Sequence, residues 1–355
     1  MIDLDALDIC RKIDKGGMRL HLLDFPGYCS EAWEDALRFE FELASGCGEI
    51  DTVLVLGMGG SAIAGDLLAG LRLSDSRTRM LVHRDYDLPG SVDAGTLVIA
   101  SSYSGMTEET ISAFKQSLAT PAKKLVLTSG GILKSLAEEH GIPVFPVNHP
   151  GPPRAALAHS FFPLLGICQK LGIMPDAKPD VDEMLLTLKK LQDICTDTCP
   201  TVRNPAKKLA NSLFGNLAVI YGAGYLCPVA QRWKTQINEN SKSLAVYEFF
   251  PELNHNAVMG YRFPAEVLDR SFVVLLRSPH LHPRTLMRYR FTAELMDQAG
   301  IRHETVDGTG DSALSQVFSL VLLGDWVSYY LALLNETDPS LVSAIDFLKK
   351  RLADS

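Results

Sequence analysis

The sequence predicts an α/β fold made of two doubly wound parallel-sheet domains. Three observations carry that prediction. A chain of 355 residues is long enough for two cores at roughly 100 to 200 residues per domain. Short β-branched runs alternate with helical patterns, as a parallel sheet covered on both faces requires. Both halves also open with a strand, a glycine-rich loop and a helix: Gly57-Met58-Gly59-Gly60 in the first and Gly222-Ala223-Gly224 in the second.

Strands are expected over 52–56, 96–100, 124–128 and 143–147, with helices over 62–71, 107–118 and 132–140 between them. The stretch Asn148-His149-Pro150-Gly151-Pro152-Pro153 is too rich in proline for helix or central strand, which places a domain boundary there and gives domains of 1–150 and 151–355. Beyond it, helical patterns cover 161–171 and 181–194. A strand follows over 217–221, a helix over 228–240, a strand over 271–276, a helix over 283–299 and a strand over 303–306. Two helices, 312–334 and 339–352, close the chain.

Lys and Arg total 34 against 42 Asp and Glu, a formal charge of −8, which argues against a nucleic-acid surface. Seven scattered cysteines, an odd count, read as reduced thiols in a cytoplasmic protein rather than as a disulfide framework. The N-terminus, Met1-Ile2-Asp3-Leu4-Asp5, is acidic where an export signal is basic. Val317 to Leu334 approaches membrane-spanning length, but Asp325 and its neighbouring hydroxyls favour a buried helix.

Chemistry concentrates at three places. After the first strand, Gly57-Met58-Gly59-Gly60-Ser61-Ala62 lets the backbone approach an anion at a helix N-terminus; the same pattern suits a dinucleotide, or a plain tight turn. After the next expected strand, Ser102, Ser104 and Thr107 can converge on one phosphate, or serve as helix caps with Glu108 and Glu109 in the first turn. Two hydroxyl- and glycine-rich loops side by side favour a monophosphate held without a P-loop lysine or a metal. The third place joins Asn238-Glu239-Asn240-Ser241-Lys242 to Pro251-Glu252-Leu253-Asn254-His255-Asn256, an acid and a histidine suited to proton transfer or to ordinary surface roles.

In order, GMGGSAIAGD at 57–66, HRDYDLP at 83–89, SYSGMTEET at 102–110, PRAALAHSFFPLL at 153–165, RWKTQINENSK at 232–242 and PELNHN at 251–256 resemble the bifunctional phosphoglucose/phosphomannose isomerase family of the sugar isomerase (SIS) superfamily. Met106 departs from the asparagine common in that family's phosphate loop. The resemblance implies two flavodoxin-like SIS domains and interconversion of glucose 6-phosphate and mannose 6-phosphate with fructose 6-phosphate through a cis-enediol. It implies no cofactor and no metal, and a place in carbohydrate metabolism. It assigns phosphate binding to Gly59, Gly60, Ser61, Ser102, Ser104 and Thr107, and the proton-transferring base to Glu239. Arg154 falls to enediolate stabilisation, His255 to ring opening, and Lys349, chosen over Lys350, to a lysine that assists it. It further implies a homodimer in which His255 reaches the neighbouring subunit's site.

Two other readings make different demands on the sequence. A sugar-phosphate-binding regulatory SIS protein should carry a DNA-binding module or a partner surface, and the first 50 residues are too short and too acidic for one. A nicotinamide-dependent enzyme could use Asp85 or Asp87 for the ribose but leaves the hydroxyl loop without a purpose. His280 and His282 lack zinc-site spacing and read as a polar loop before a helix, while His140, His149 and His159 form no zinc spacing either.

Overall fold

Runs of valine, leucine and isoleucine with no polar alternation belong to strands buried on both faces, and Thr52–Leu56 is such a run, every residue of it buried. The structure, a computed structural model, describes residues 2–43, 49–71, 77–149 and 151–354. Cys47 and Pro150, which figure in the sequence reading, lie outside the described residues.

Two helices, α1 (Leu7–Ile13) and α2 (Met18–Arg38), precede β1 (Thr52–Leu56). Then come α3 (Gly59–Leu71), β2 (Arg79–His83), β3 (Thr96–Ser101), α4 (Glu108–Ser117), β4 (Lys123–Thr128), α5 (Gly131–Glu139) and β5 (Val144–Pro146). All five strands are parallel, in the order β2-β1-β3-β4-β5. A 3-10 turn, Pro153–Ala155, leads into α6 (Leu157–Lys170), and α7 (Lys178–Cys195) follows.

The chain continues through α8 (Pro205–Leu213), β6 (Leu217–Ala223), α9 (Cys227–Ser241) and β7 (Ala245–Phe250). After β7 come two 3-10 turns, Glu252–His255 and Ala257–Gly260, and the short α10 (Ala265–Leu268). β8 (Ser271–Arg277), α11 (Pro283–Ala299), β9 (Arg302–Asp307), α12 (Ala313–Leu334) and α13 (Ser343–Ala353) complete it. The second sheet, also parallel, has the order β7-β6-β8-β9.

The chain divides into two compact units, Asp24–Leu185 and Met1–Leu23 with Leu186–Ser355. The proline-rich stretch at 148–153, where the sequence suggests a boundary, falls inside the first unit. Packing continues beyond it, where α6 lies against α3. The core of the first sheet combines Leu54, Leu56, Val98, Ala100 and Val126 with Phe114 from α4 and Leu133 and Ala137 from α5.

In the other unit, α12 is, among the described residues, the helix long and apolar enough to cross a membrane, and its residues are buried against α8 and α9. Asp325, the charge within that apolar run, meets a buried partner: Arg232 Nη2 donates to it at 2.7 Å and Gln236 Nε2 at 3.0 Å. The N-terminal segment is fixed to the same unit by Lys207, fully buried, whose Nζ donates to Asp5 at 2.8 Å.

Candidate active site

In a doubly wound sheet the ligand crevice opens beyond the carboxyl ends of the strands, where the strand order reverses. In the unit Asp24–Leu185 that point lies between β1 and β3, since β1 pairs with β2 on one side and β3 on the other. The loops leaving those two strands are the glycine loop, 57–60, and the hydroxyl loop, 102–107. Two of the three candidate places thus become one.

α3 begins at Gly59, so the unpaired amides of its first turn face this crevice. Gly60 has no room for a side chain: a Cβ there would sit 3.0 Å from the carbonyl oxygen of Pro153 and 3.8 Å from Cα of Arg154. That close approach lays the turn carrying Arg154 against the start of α3, and Arg154 itself is buried. Ser61, the next residue, is buried as well.

In the second loop Ser102 is buried and Ser104 exposed. Ser102 Oγ lies 2.8 Å from Thr107 Oγ1 and accepts from the Gly105 amide at 3.2 Å. Ser104 Oγ accepts from the Met106 amide at 3.2 Å. Thr107 occupies the N-cap position of α4, but its side chain makes no capping bond. The turn depends on Gly105, whose φ of +65° and contact with the Gly130 carbonyl exclude a side chain. Met106, where the family's loop commonly has asparagine, is exposed.

Asp85, an acid that a ribose would need, accepts from the amide of Tyr86 at 2.8 Å within its own turn. Gln116 of α4 bridges that segment, accepting from the Leu88 amide and donating to the Tyr86 carbonyl. Asp66 and Arg84 form an ion pair, and burial lifts the Asp66 carboxyl above its usual range against the pull of Arg84.

Glu239, His255 and Lys349 all belong to the other unit. Glu239 is half-buried in the last turn of α9, an end secured in three ways. Lys242 closes it in the left-handed conformation, with φ of 53°. Asn238 donates to the Ser243 carbonyl at 2.8 Å, and Asn335 to the Ser241 carbonyl at 2.9 Å. Upstream, Arg232 and Gln236 on Asp325, and Asn240 on Ser328 at 2.9 Å, form one polar stripe at helical spacing that seats α9 on α12. Arg232 and Gln236 belong to the RWKTQINENSK motif, and their partner on α12 lies too far along the chain for local spacing to reveal it.

His255 ends the 3-10 turn beyond β7 and is exposed. α9 descends from the carboxyl end of β6 to the amino end of β7, since the two strands are parallel. Glu239 therefore sits near the amino end of β7 and His255 beyond its carboxyl end. At about 3.3 Å per residue the strand between them spans roughly 17 Å. Lys349 lies on the exposed face of α13, where Phe347, Leu348 and Leu352 also face solvent.

Among the described residues, no three His, Cys, Asp or Glu side chains converge as a metal site would need. His282, read as part of a polar loop, accepts from the Arg284 amide through Nδ1 and caps α11. His149 and His159 are buried around Tyr28, with ring centroids 4.9 and 5.5 Å from it. Burial keeps the His159 imidazole below its usual pKa, although Glu31 and Asp35 oppose it.

Residues 202–352 match the bacterial phospho-glucose isomerase C-terminal SIS domain. The bifunctional phosphoglucose/phosphomannose isomerase of Caldicellulosiruptor bescii is 42% identical over 307 residues, covering 86% of this chain and 91% of that protein. The protein of the same name from Thermoplasma volcanium is 34% identical, covering 90% and 97%. A solved structure of a hypothetical protein from Thermus thermophilus superposes with a TM-score of 0.72 at 17% identity, over 98% of this chain and 94% of that one, which is a likeness of fold. With the identity to curated relatives extending over most of both chains, the chain belongs to the bifunctional phosphoglucose/phosphomannose isomerase family.

Proposed function

We propose that the protein is an aldose-ketose isomerase interconverting glucose 6-phosphate and mannose 6-phosphate with fructose 6-phosphate through a cis-enediol. The observation that carries the assignment is the hydroxyl loop at the switch point of β1 and β3, in a chain of this family. Three hydroxyls and a helix N-terminus offer donors suited to a phosphate dianion. The regulatory reading is not favoured by this family membership.

In this reading Ser102, Ser104, Thr107, Gly59, Gly60 and Ser61 hold the phosphate, which orients the sugar from a point remote from the reacting carbons. Glu239 moves the proton between C1 and C2. Arg154 stabilises the enediolate, and a buried guanidinium suits that task because the charge appears only as the proton leaves. His255 opens the ring, and Lys349 assists. Proton transfer of this kind requires neither hydride acceptor nor Lewis acid.

The separation of Glu239 from His255 across one sheet supports a homodimer in which His255 of each copy serves the other's site. The exposed Val246, Tyr247 and Phe249 of β7, next to the His255 turn, provide apolar surface for such an interface. Cytoplasmic location, and a role in glycolysis or gluconeogenesis, follow from these substrates and from the absence of disulfides among the described cysteines. The test is incubation of the purified protein with fructose 6-phosphate, with EDTA and without nucleotide, followed by identification of the sugar phosphates. Appearance of both aldose phosphates is expected; activity lost on chelation and restored by zinc would overturn the mechanism.

A further inference from the structure

We propose that Tyr103 is a positioning residue for this reaction: its phenol holds the segment leading to Arg154 in register with the phosphate loop. The inference rests on the isomerase reading and adds to it a residue that touches neither substrate nor reacting atoms. Tyr103 stands between two of the phosphate-binding serines and is half-buried. Its main chain is fixed on one side, where its carbonyl accepts from Ser129 through the amide at 3.0 Å and through Oγ at 2.7 Å. Its phenol is fixed on the other, donating to the carbonyl of His149 at 2.6 Å.

The acceptor is itself anchored. The His149 ring is buried, packing against Tyr28 and against His159 of α6, whose ring centroid lies 5.0 Å away. Five residues beyond His149 stands Arg154, in the turn laid against Gly60. Three chain segments thus meet at the crevice, namely the start of α3, the hydroxyl loop and the arginine turn. Gly60 joins the first to the third by close packing, and the Tyr103 phenol ties the second to His149, five residues before Arg154 in the chain.

Loss of the hydroxyl leaves the loop and its donors in place and removes one of the ties on the chain that runs into the arginine turn. The phosphate contacts form equally in ground and transition states, whereas the guanidinium acts on charge present only near the transition state. A small misplacement of such a group lowers kcat with little change in substrate binding.

The experiment uses Tyr103→Phe, which keeps the ring and removes one bond, in the full-length protein. We expect kcat for fructose 6-phosphate to fall about tenfold, with KM within about twofold of wild type. Inhibition by a five-carbon aldonate phosphate, whose carboxylate mimics the enediolate, should weaken by a similar factor. In an Arg154→Lys background the same change should produce little further loss, because the group through which Tyr103 acts is already altered. A lowered melting temperature with kcat unchanged would make the phenol merely structural and overturn the proposal. So would a raised KM at constant kcat, or losses in Tyr103→Phe and Arg154→Lys that simply multiply. Fructose 6-phosphate binding at equilibrium verifies that Tyr103→Phe is folded; if it is not, the same measurements on Tyr103→His, which retains a ring and a donor, decide the matter. A wild-type protein without turnover would overturn the isomerase reading itself, a result distinguishable before any variant is made.

Discussion

Thr107 and Ser102 place their hydroxyl oxygens 2.8 Å apart, so the residue at the N-cap of α4 bonds across the loop instead of to the helix. Whichever of the two donates, the hydrogen of the other remains for a phosphate oxygen. The same residue types read from the sequence either as phosphate donors or as helix caps, and Thr107 makes no capping bond to α4.

If Thr107 serves the phosphate, Thr107→Val should raise KM for fructose 6-phosphate about tenfold, within the ~1.5 to 3 kcal/mol of a hydrogen bond to a charged group. Its stability should fall by no more than about 1 kcal/mol, the worth of the lost bond to Ser102, so KM is the deciding readout. Steady-state kinetics and thermal unfolding on one preparation check both. A destabilised variant with unchanged KM would return Thr107 to the role of a cap.

Glu239→Gln tests the base. The amide keeps the shape of the carboxylate and cannot accept the proton, so kcat should fall by about 10² or more while fructose 6-phosphate still binds. Incorporation of solvent deuterium at C1 and C2 of recovered sugar phosphate should fall in parallel. An isomerisation rate equal to wild type would place the base elsewhere.

How much of this was legible in the sequence depends on whether a feature is local. The central strands β1, β3, β4, β6 and β8 follow from unbroken apolar runs, and the glycine and hydroxyl loops from their place after them. The two strands absent from the sequence reading, β2 and β7, are edges of their sheets. An edge strand is partly open to solvent, so Arg79-Met80-Leu81-Val82-His83 carries polar side chains at its ends and Ala245-Val246-Tyr247-Glu248-Phe249-Phe250 breaks its pattern with Glu248. Neither shows the uniform run of a buried strand. The seat of α9 on Asp325 and the tie from Tyr103 to His149 join residues far apart in sequence, where periodicity carries no signal. That Glu239 and His255 lie toward opposite ends of one strand required the placement of β7 between them.

Acid should loosen the N-terminal attachment. Burial pushes the Asp5 carboxyl up, but hydrogen bonds from Lys207 and Thr201 outweigh it and hold the pKa below its ordinary value of 3.8. A carboxylate depressed on folding contributes stability that is present above its unfolded pKa and lost as pH falls through the folded one. The contribution should therefore be intact at neutral pH and disappear below about pH 4. Asp5 is partly exposed, which keeps the effect small. Amide exchange at Thr201, whose N–H donates to both Asp5 oxygens at 3.0 and 3.1 Å, is the readout. Equal protection of that amide above and below this range would show that the ion pair does not hold the segment.

The topology of the second sheet yields the strongest test of assembly. Glu239 ends a helix that descends to the amino edge of β7, and His255 follows the carboxyl end of that strand, so a strand length separates them within one chain. If both groups act on one hexose, a site shared between two chains spares either chain from bridging that strand, roughly 17 Å long. In the proposed two-fold dimer, His255 of each copy would serve Glu239 of the other. Mixed under conditions that let subunits exchange, inactive Glu239→Gln and inactive His255→Ala would then form heterodimers in which one site carries both lesions and the other carries neither. Activity approaching half the wild-type value per heterodimer should return, with KM unchanged, because the intact site is wild type in every residue. Native mass spectrometry of the same mixture establishes that heterodimers have formed. Heterodimers without activity would show that each chain uses its own histidine and that Glu239 and His255 do not belong to a shared site.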